Sequence, residues 1–331
     1  MCGKSADEAF EAIARRLAAA DRLLIVTHAR PDGDAVGSMA ALAAAAQAAG
    51  KTARVLLPDE VPLRYEFLLA GARPAPAEQF AALADEADVV VILDTCAFAQ
   101  LDGLDEPIRA RREKIVVADH HETVEDVGAI QWIDKTAAAA GVMIAELLEA
   151  LRWPVNAAAA EALLAAIATD TGWFRYANTD GRCLRAAAKL IDAGVQPDEL
   201  YARLYESERL QRVQLRRRVL ESLELHAGGK VATMAVRRAD FEQTGARSDE
   251  TEDLVNEAMR IGGVEAAVLL VDSGDCVRAS LRSRGGVDVA AVARRFGGGG
   301  HRRAAGLRGS EDLDTLKRRL IEALAEALRG G

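Results

Sequence analysis

Short β-branched runs alternating with alanine-rich stretches restrict the fold of this chain more than any other feature. Residues 23–27, 53–57, 89–94 and 115–119 are almost uninterruptedly apolar, the pattern of strands covered on both faces. The stretches between them, 35–49 and 77–86, read as helices. The expected first unit is therefore a parallel sheet with helices on both faces. At 331 residues the chain has room for a second core. Segments 141–151, 157–168, 181–193 and 197–205 also read as helices, followed by an arginine-rich helical stretch at 208–225. A second pattern begins near Gly228: a strand at 231–237, a helix at 250–260, and two strands within 265–283 that turn at 272–275. Helices at 287–296 and 312–328 flank a glycine-rich loop. The predicted class is α/β, with a parallel-sheet domain over 1–205, a helical linker over 206–228 and a smaller α+β domain over 229–331.

The formal net charge is −9, which argues against broad binding to long double-stranded nucleic acid. A short oligonucleotide held by a few local arginines stays compatible with it. Cys2, Cys96, Cys183 and Cys276 show no C-x-x-C pairing, so neither a zinc knuckle nor a disulfide framework is indicated. No leader-like apolar segment or membrane span stands out. A cytoplasmic protein without membrane association is expected.

Four of the five histidines sit in segments crowded with aspartate or glycine. His28 lies in T-H-A-R-P-D-G-D (27–34), His120 and His121 in V-A-D-H-H-E-T (117–123), and His301 in F-G-G-G-G-H-R-R-A-A-G (296–306). Asp94 and Asp119 close predicted strands, and the His28 segment follows another. Ligands of open parallel sheets bind at that carboxyl edge. Imidazole is the commonest metal ligand, and imidazole with hard carboxylates suits manganese or a similar octahedral ion. Asp32 and Asp34 could serve different ions, Asp94 could bridge them, and His120 with Asp170 could complete the second. Two ions roughly 3.5–4 Å apart clamp a phosphate and activate water. Each piece alone has an ordinary reading: a turn for Asp-Gly-Asp, a structural pair for His-His, a helix cap for Asp170. Their joint appearance at strand ends favours the metal site.

The segments 28–38, Leu93-Asp94-Thr95, Asp119-His120-His121 and Thr169-Asp170-Thr171-Gly172 resemble the four motifs of the DHH phosphoesterases. Gly297 to His301 with Ala304-Ala305-Gly306 resembles the DHHA1 substrate-binding domain that accompanies them. The likeness spans nearly the whole chain in order, and is greatest to the bacterial nano-RNase/pAp-phosphatase subfamily. It implies that His28, Asp32 and Asp94 bind one divalent ion and that Asp34, Asp94, His120 and Asp170 bind the other. The ions would be Mn2+, with Mg2+ or Co2+ as alternatives. His121 would contact the scissile phosphate, and Asp119 would orient the imidazoles. Arg282, Ser283, Gly298, Gly299, Gly300 and His301 would hold the terminal nucleotide, the glycine N–H groups converging on an anion. The implied reaction is hydrolysis of very short oligoribonucleotides to mononucleotides, and of 3′-phosphoadenosine 5′-phosphate. One departure is residues 137–140, four alanines where relatives often carry Ser-Ser-Thr. Cyclic-dinucleotide phosphodiesterase, single-strand DNA exonuclease, and a nucleotide sensor without turnover remain as rivals, and a homodimer is left open. Two further features have competing readings. Trp173, Phe174 and Tyr176 either stack a base or pack in the core. Arginines 209, 212, 216, 217 and 218 form either a nucleic-acid track or a solvated helix face.

Overall fold

The computed structural model describes residues 6–69 and 72–330, and the chain divides into units Met1–Ser207 and Glu208–Gly331. The first unit runs α1 (Ala6–Ala19), β1 (Arg22–Val26), α2 (Gly33–Ala48), β2 (Thr52–Leu56), α3 (Phe80–Glu86), β3 (Val89–Leu93), α4 (Asp105–Arg109), β4 (Ile115–Asp119), β5 (Ile130–Ile133), α5 (Ala140–Leu151), α6 (Ala157–Asp170), α7 (Gly181–Asp192) and α8 (Pro197–Tyr205). Its sheet has the order β2-β1-β3-β4-β5 and every pairing is parallel. Strand alternation divides the core. Leu23, Ile25, Val89, Val91 and Val116 face α1, α2, α5 and α6, while Leu24, Val26, Val90, Ile92 and Val117 face Phe80, Leu83 and Ile108. The four predicted strands are present within a residue of their expected bounds. The edge strand β5 was not foreseen, because Gln131 interrupts its short apolar run.

Helices α2 and α6 are buried on almost all sides, which explains their alanine content: only small side chains let buried helices approach so closely. A Cβ added at Gly37 would lie 2.5 Å from the Ala162 carbonyl oxygen, and one at Gly33 would lie 2.5 Å from Thr169 Oγ1. One at Gly141, in the first turn of α5, would lie 2.6 Å from Ala166 Cβ. The N-termini of α2 and α5 are thereby pressed against α6, whose last residue is Asp170. The helix contacts thus deliver the acidic loop after β1 and Asp170 to the carboxyl edge of the sheet.

The second unit comprises α9 (Leu210–Glu221), β6 (Glu224–His226), β7 (Val231–Val236), α10 (Arg238–Thr244), α11 (Val255–Ala258), β8 (Ala266–Asp272), β9 (Val277–Ser283), α12 (Val289–Arg294), β10 (Gly299–His301), β11 (Ala304–Gly309) and α13 (Leu313–Gly330). Its mixed sheet has the order β10-β11-β9-β8-β7-β6. The stretch 206–228, expected as a linker, contains α9, whose Leu215 and Val219 are buried with Ala232, Met234 and Leu269. Apolar residues at helical spacing gave this helix a face to bury, and it packs within the second unit. The helix expected over 250–260 shrinks to a 3-10 turn at Ser248–Thr251 and the single turn of α11. Asp253 between them takes a left-handed backbone conformation (φ 64°) that breaks the helix. No helix among the described residues is long and apolar enough to cross a membrane.

The glycine at 37 carries a testable consequence. Gly37→Val should destabilise the protein by about 1–3 kcal/mol through overpacking against α6, although valine is the better helix former. Urea unfolding followed by circular dichroism reads the change, and an unshifted midpoint would show that α2 and α6 have slack.

Candidate metal centre

Asp94 follows β3 directly and adopts a left-handed conformation (φ 60°), uncommon outside glycine. Its N–H donates to the Ala118 carbonyl at 3.0 Å, which pins the turn to β4. The bend leaves the carboxylate 2% exposed with its oxygens directed to different neighbours. Oδ2 lies 3.5 Å from His28 Nε2, and Oδ1 lies 3.3 Å from His120 Nε2. Two donor sets meet at this one residue.

The first set is His28, Asp32 and Asp94, each offering an atom within 4.8 Å of the others. His28 Nδ1 lies 2.9 Å from the Ala29 carbonyl. A carbonyl can only accept, so Nδ1 carries a proton and Nε2 is the nitrogen that faces the carboxylates and could take a metal. Asp32 caps α2, its Oδ1 accepting from the N–H groups of Asp34 and Ala35 at 3.0 Å each. The second set is Asp34, His120 and Asp170. His120 Nε2 stands 3.7 Å from Asp34 Oδ2 and 3.8 Å from Asp170 Oδ2. Its Nδ1 faces the Ala137 carbonyl at 3.1 Å, which selects the same tautomer as in His28. Asp34 accepts from the N–H groups of Ala140 (2.6 Å) and Gly141 (2.8 Å) at the start of α5, and from Ser38 Oγ (3.1 Å). The alanines at 137–140 therefore support two donors through their peptide groups.

His121 is arranged differently. Its Nδ1 donates to Asp119 Oδ1 at 2.7 Å, and that oxygen also accepts from the N–H groups of His120 (2.8 Å) and His121 (3.2 Å). The expectation that Asp119 orients both imidazoles is thus corrected. It holds the ring of His121, whereas the Ala137 carbonyl holds the ring of His120. That carbonyl lies 17 residues along the chain, beyond anything a local motif could reveal.

The electrostatics of the protein alone suit a cation. Burial, with the fields of Asp94 and Asp170, pushes Asp34 well above the usual carboxylate range. Burial, with Asp32 and Asp94 overcoming the attraction of His120, lifts Asp170 to about 6. Burial disfavours charge on His28, yet hydrogen bonding to Asp94 and the field of Asp32 outweigh it and raise the imidazole to about 9. His120 is raised in the same way against its own burial. Protons on these rings stand where positive charge is wanted. Asp94 Oδ1 is also buried and accepts no hydrogen bond of good geometry, a costly state for a carboxylate oxygen. The donor set of imidazole nitrogens and carboxylate oxygens therefore fits divalent metal.

In the second unit the run of four glycines ends in a hairpin. Gly299, Gly300 and His301 pair with Gly306, Ala305 and Ala304. The expected cradle of N–H groups is not formed there as a loop, since the Gly297 and Gly298 N–H groups donate to Arg294 (3.2 Å) and Ala293 (2.9 Å) at the end of α12. Close backbone contact explains two of the glycines. A Cβ at Gly298 would lie 2.2 Å from the Gly306 oxygen, and one at Gly300 would lie 2.6 Å from the Ala304 oxygen. Cross-strand register then aligns Arg282 on β9, Ala304 on β11 and His301 on β10 along one face. The adjacent row on that face, Ser280, Gly306 and Gly299, has almost no bulk. Ser283 sits on the opposite face and gives its hydroxyl to the Val287 carbonyl at 2.7 Å, so it is a structural residue and not part of this shelf.

Two other features had competing readings. Trp173 packs edge-on against Tyr201 (5.0 Å) and Tyr205 (5.9 Å), and it and Phe174 lie partly buried against the first core, whereas Tyr176 stays exposed. Arg209, Arg212 and Arg216 pair with Glu250 or Glu208, and Arg217 pairs with Glu221. Arg218 bonds Gln243. These arginines form a paired helix face, not a nucleic-acid track.

Comparison with known proteins agrees with this geometry. The DHH family, N-terminal domain, matches residues 22–167 and the DHHA1 domain matches residues 228–329. Bifunctional oligoribonuclease and PAP phosphatase NrnA of Bacillus subtilis is 31% identical over 302 residues, 88% of this chain and 90% of that protein. The chain belongs to the DHH family. The protein of the same name from Thermus thermophilus is 34% identical over 309 residues, 92% of this chain and 90% of that protein. A solved structure of an exopolyphosphatase-related protein from Bacteroides fragilis shares the fold, with a TM-score of 0.90 at 22% identity over 97% of this chain and 96% of that one.

The raised imidazole sets a pH dependence. His28 titrates near 9 in the fold and near 6.5 unfolded, so its contribution is whole below pH 6.5 and lost as the pH rises past about 9. Chelator-treated protein should show a falling Tm across that window, and manganese should remove the decline by replacing the proton. Calorimetry at pH 6.5 and 9, with and without metal, reads both effects. A Tm that climbs over the window without metal would refute the assignment.

Proposed function

We propose that this DHH-family protein is a metal-dependent phosphoesterase that hydrolyses very short oligoribonucleotides to mononucleotides and dephosphorylates 3′-phosphoadenosine 5′-phosphate. The observation that carries the reading is Asp94, whose two oxygens face His28 and His120 in separate donor sets. His28, Asp32 and Asp94 would hold one divalent ion, and Asp34, Asp94, His120 and Asp170 the other. Such ions, manganese by preference, supply Lewis acidity toward the phosphate and lower the pKa of bound water. The names of the Bacillus and Thermus relatives support the substrate class.

The chain's own residues supply the rest. With Nδ1 engaged by Asp119, His121 presents Nε2 toward the phosphate and stabilises charge that builds on its oxygens. The neutral tautomers fixed by the Ala29 and Ala137 carbonyls aim His28 and His120 at the ions. On the second unit Arg282 and His301 frame a shelf of Ala304, Ser280, Gly306 and Gly299, flat enough for a nucleoside and positive enough for its phosphate. A shelf that grips one terminal nucleotide would favour very short substrates.

A panel of dinucleotides, longer RNA and DNA, a cyclic dinucleotide, pyrophosphate and the adenosine bisphosphate, assayed with manganese, tests the assignment. Dinucleotides and the bisphosphate should be turned over fastest, and preference for the cyclic dinucleotide or long DNA would overturn it. His120→Ala should lose metal, whereas His121→Ala should keep it and lose turnover by a factor of about 100 or more. Metal content by mass spectrometry separates the two, and equal loss would refute the division of labour. Arg282→Ala should raise KM for a dinucleotide about tenfold or more while leaving slow hydrolysis of a small generic phosphodiester nearly unchanged. Equal losses on both substrates would exclude the shelf as a recognition element.

A further inference from the structure

One side chain links two segments that support the second donor set. The Nδ2 of Asn178 lies 2.9 Å from the Ala138 carbonyl oxygen and 3.1 Å from the Asp170 carbonyl oxygen. Both partners can only accept, so the amide nitrogen faces them. The bonds tie the end of α6, which carries Asp170, to the alanine segment. On either side of Ala138 in that segment, the Ala137 carbonyl orients His120 and the Ala140 N–H holds Asp34.

The chain reaches this position through a strained turn. Gly172, Trp173 and Phe174 are consecutively left-handed, with φ of 56°, 58° and 61°, and two of them are bulky aromatics for which that region is costly. Packing of Trp173 on Tyr201 and Tyr205, and a 3.1 Å bond from the Phe174 N–H to Thr171 Oγ1, hold the turn in place. The turn reverses the chain after α6 and returns Asn178 to the carbonyl at which that helix ends.

We propose that Asn178 is a positioning residue for the second metal position, acting through peptide groups on Asp34, His120 and Asp170 without itself binding an ion. The hydrogen bonds of Asn178 lead to the second set and not to His28 or Asp32, so the effect is selective. The inference rests on the two-ion reading above. Loss of an amide that orients ligands from outside the coordination sphere typically weakens metal binding about 10–100-fold.

Asn178→Ala and the isosteric Asn178→Asp, which turns an acceptor toward both carbonyls, should each keep one tight manganese site and weaken the other about 10–100-fold. The measurement is calorimetric titration of chelator-treated protein with Mn2+. Turnover of a dinucleotide at limiting metal should fall through kcat with KM held, and recover in excess Mn2+. The Tm of the metal-free variants should stay within a few degrees of the parent. Two sites of parental affinity in both variants would overturn the proposal, as would equal weakening of both sites together with a large drop in metal-free Tm. If the parent itself binds a single ion, the two-ion reading fails first, and that result is distinguishable because it precedes any substitution.

Discussion

Carboxylates crowded together by close-packed helices are the constraint around which the first unit is built. Gly33, Gly37 and Gly141 leave no room between α2, α5 and α6, so Asp34 and Asp170 cannot relax away from Asp94. Two like charges about 4 Å apart repel by about 4 kcal/mol at an effective dielectric of about 20. The raised pKa values of Asp34 and Asp170 record their burial first and that repulsion second, and those of His28 and His120 record its partial relief by protons. The fold holds these groups at a cost that bound cations would reverse. Rigid packing and metal affinity are in this sense two descriptions of the same contacts.

The parts of this arrangement that obey a period or a local rule could be read from the chain. Four both-face-buried strands announced themselves by uninterrupted β-branched runs, and Asp94 and Asp119 by closing two of them. Asp32, Asp34 and Asp170 stood in turn segments that only their combination made meaningful. What sequence did not disclose came from main-chain atoms. The Ala137 carbonyl and the Ala140 N–H belong to residues whose side chains carry no chemistry, and Asn178 sits in a turn without periodicity. That the adjacent His120 and His121 lie at the carboxyl edge beside Asp94 was legible by motif position. That a distant carbonyl, not Asp119, holds the ring of His120 was not.

In the second unit the glycines misled for a physical reason. A run of glycine permits both an anion-binding loop and the close approach of two strands, and composition alone does not choose. The register of β9, β11 and β10 decides in favour of the hairpin, and in doing so places Arg282 and His301 in one row. Ser283 shows the complementary lesson. A single step along a strand moves a side chain to the other face, so adjacency to Arg282 in sequence separates the two in space.

The alanine segment at 137–140 has a consequence for how such a centre can diverge. Because it holds Asp34 and His120 with peptide groups, its side chains are released from any duty to the ions. Those side chains are themselves packed in the first core, 0–5% exposed, so a larger residue there would disturb the site by moving the backbone that holds it. Change at this segment can therefore alter the donor set without altering a single ligand.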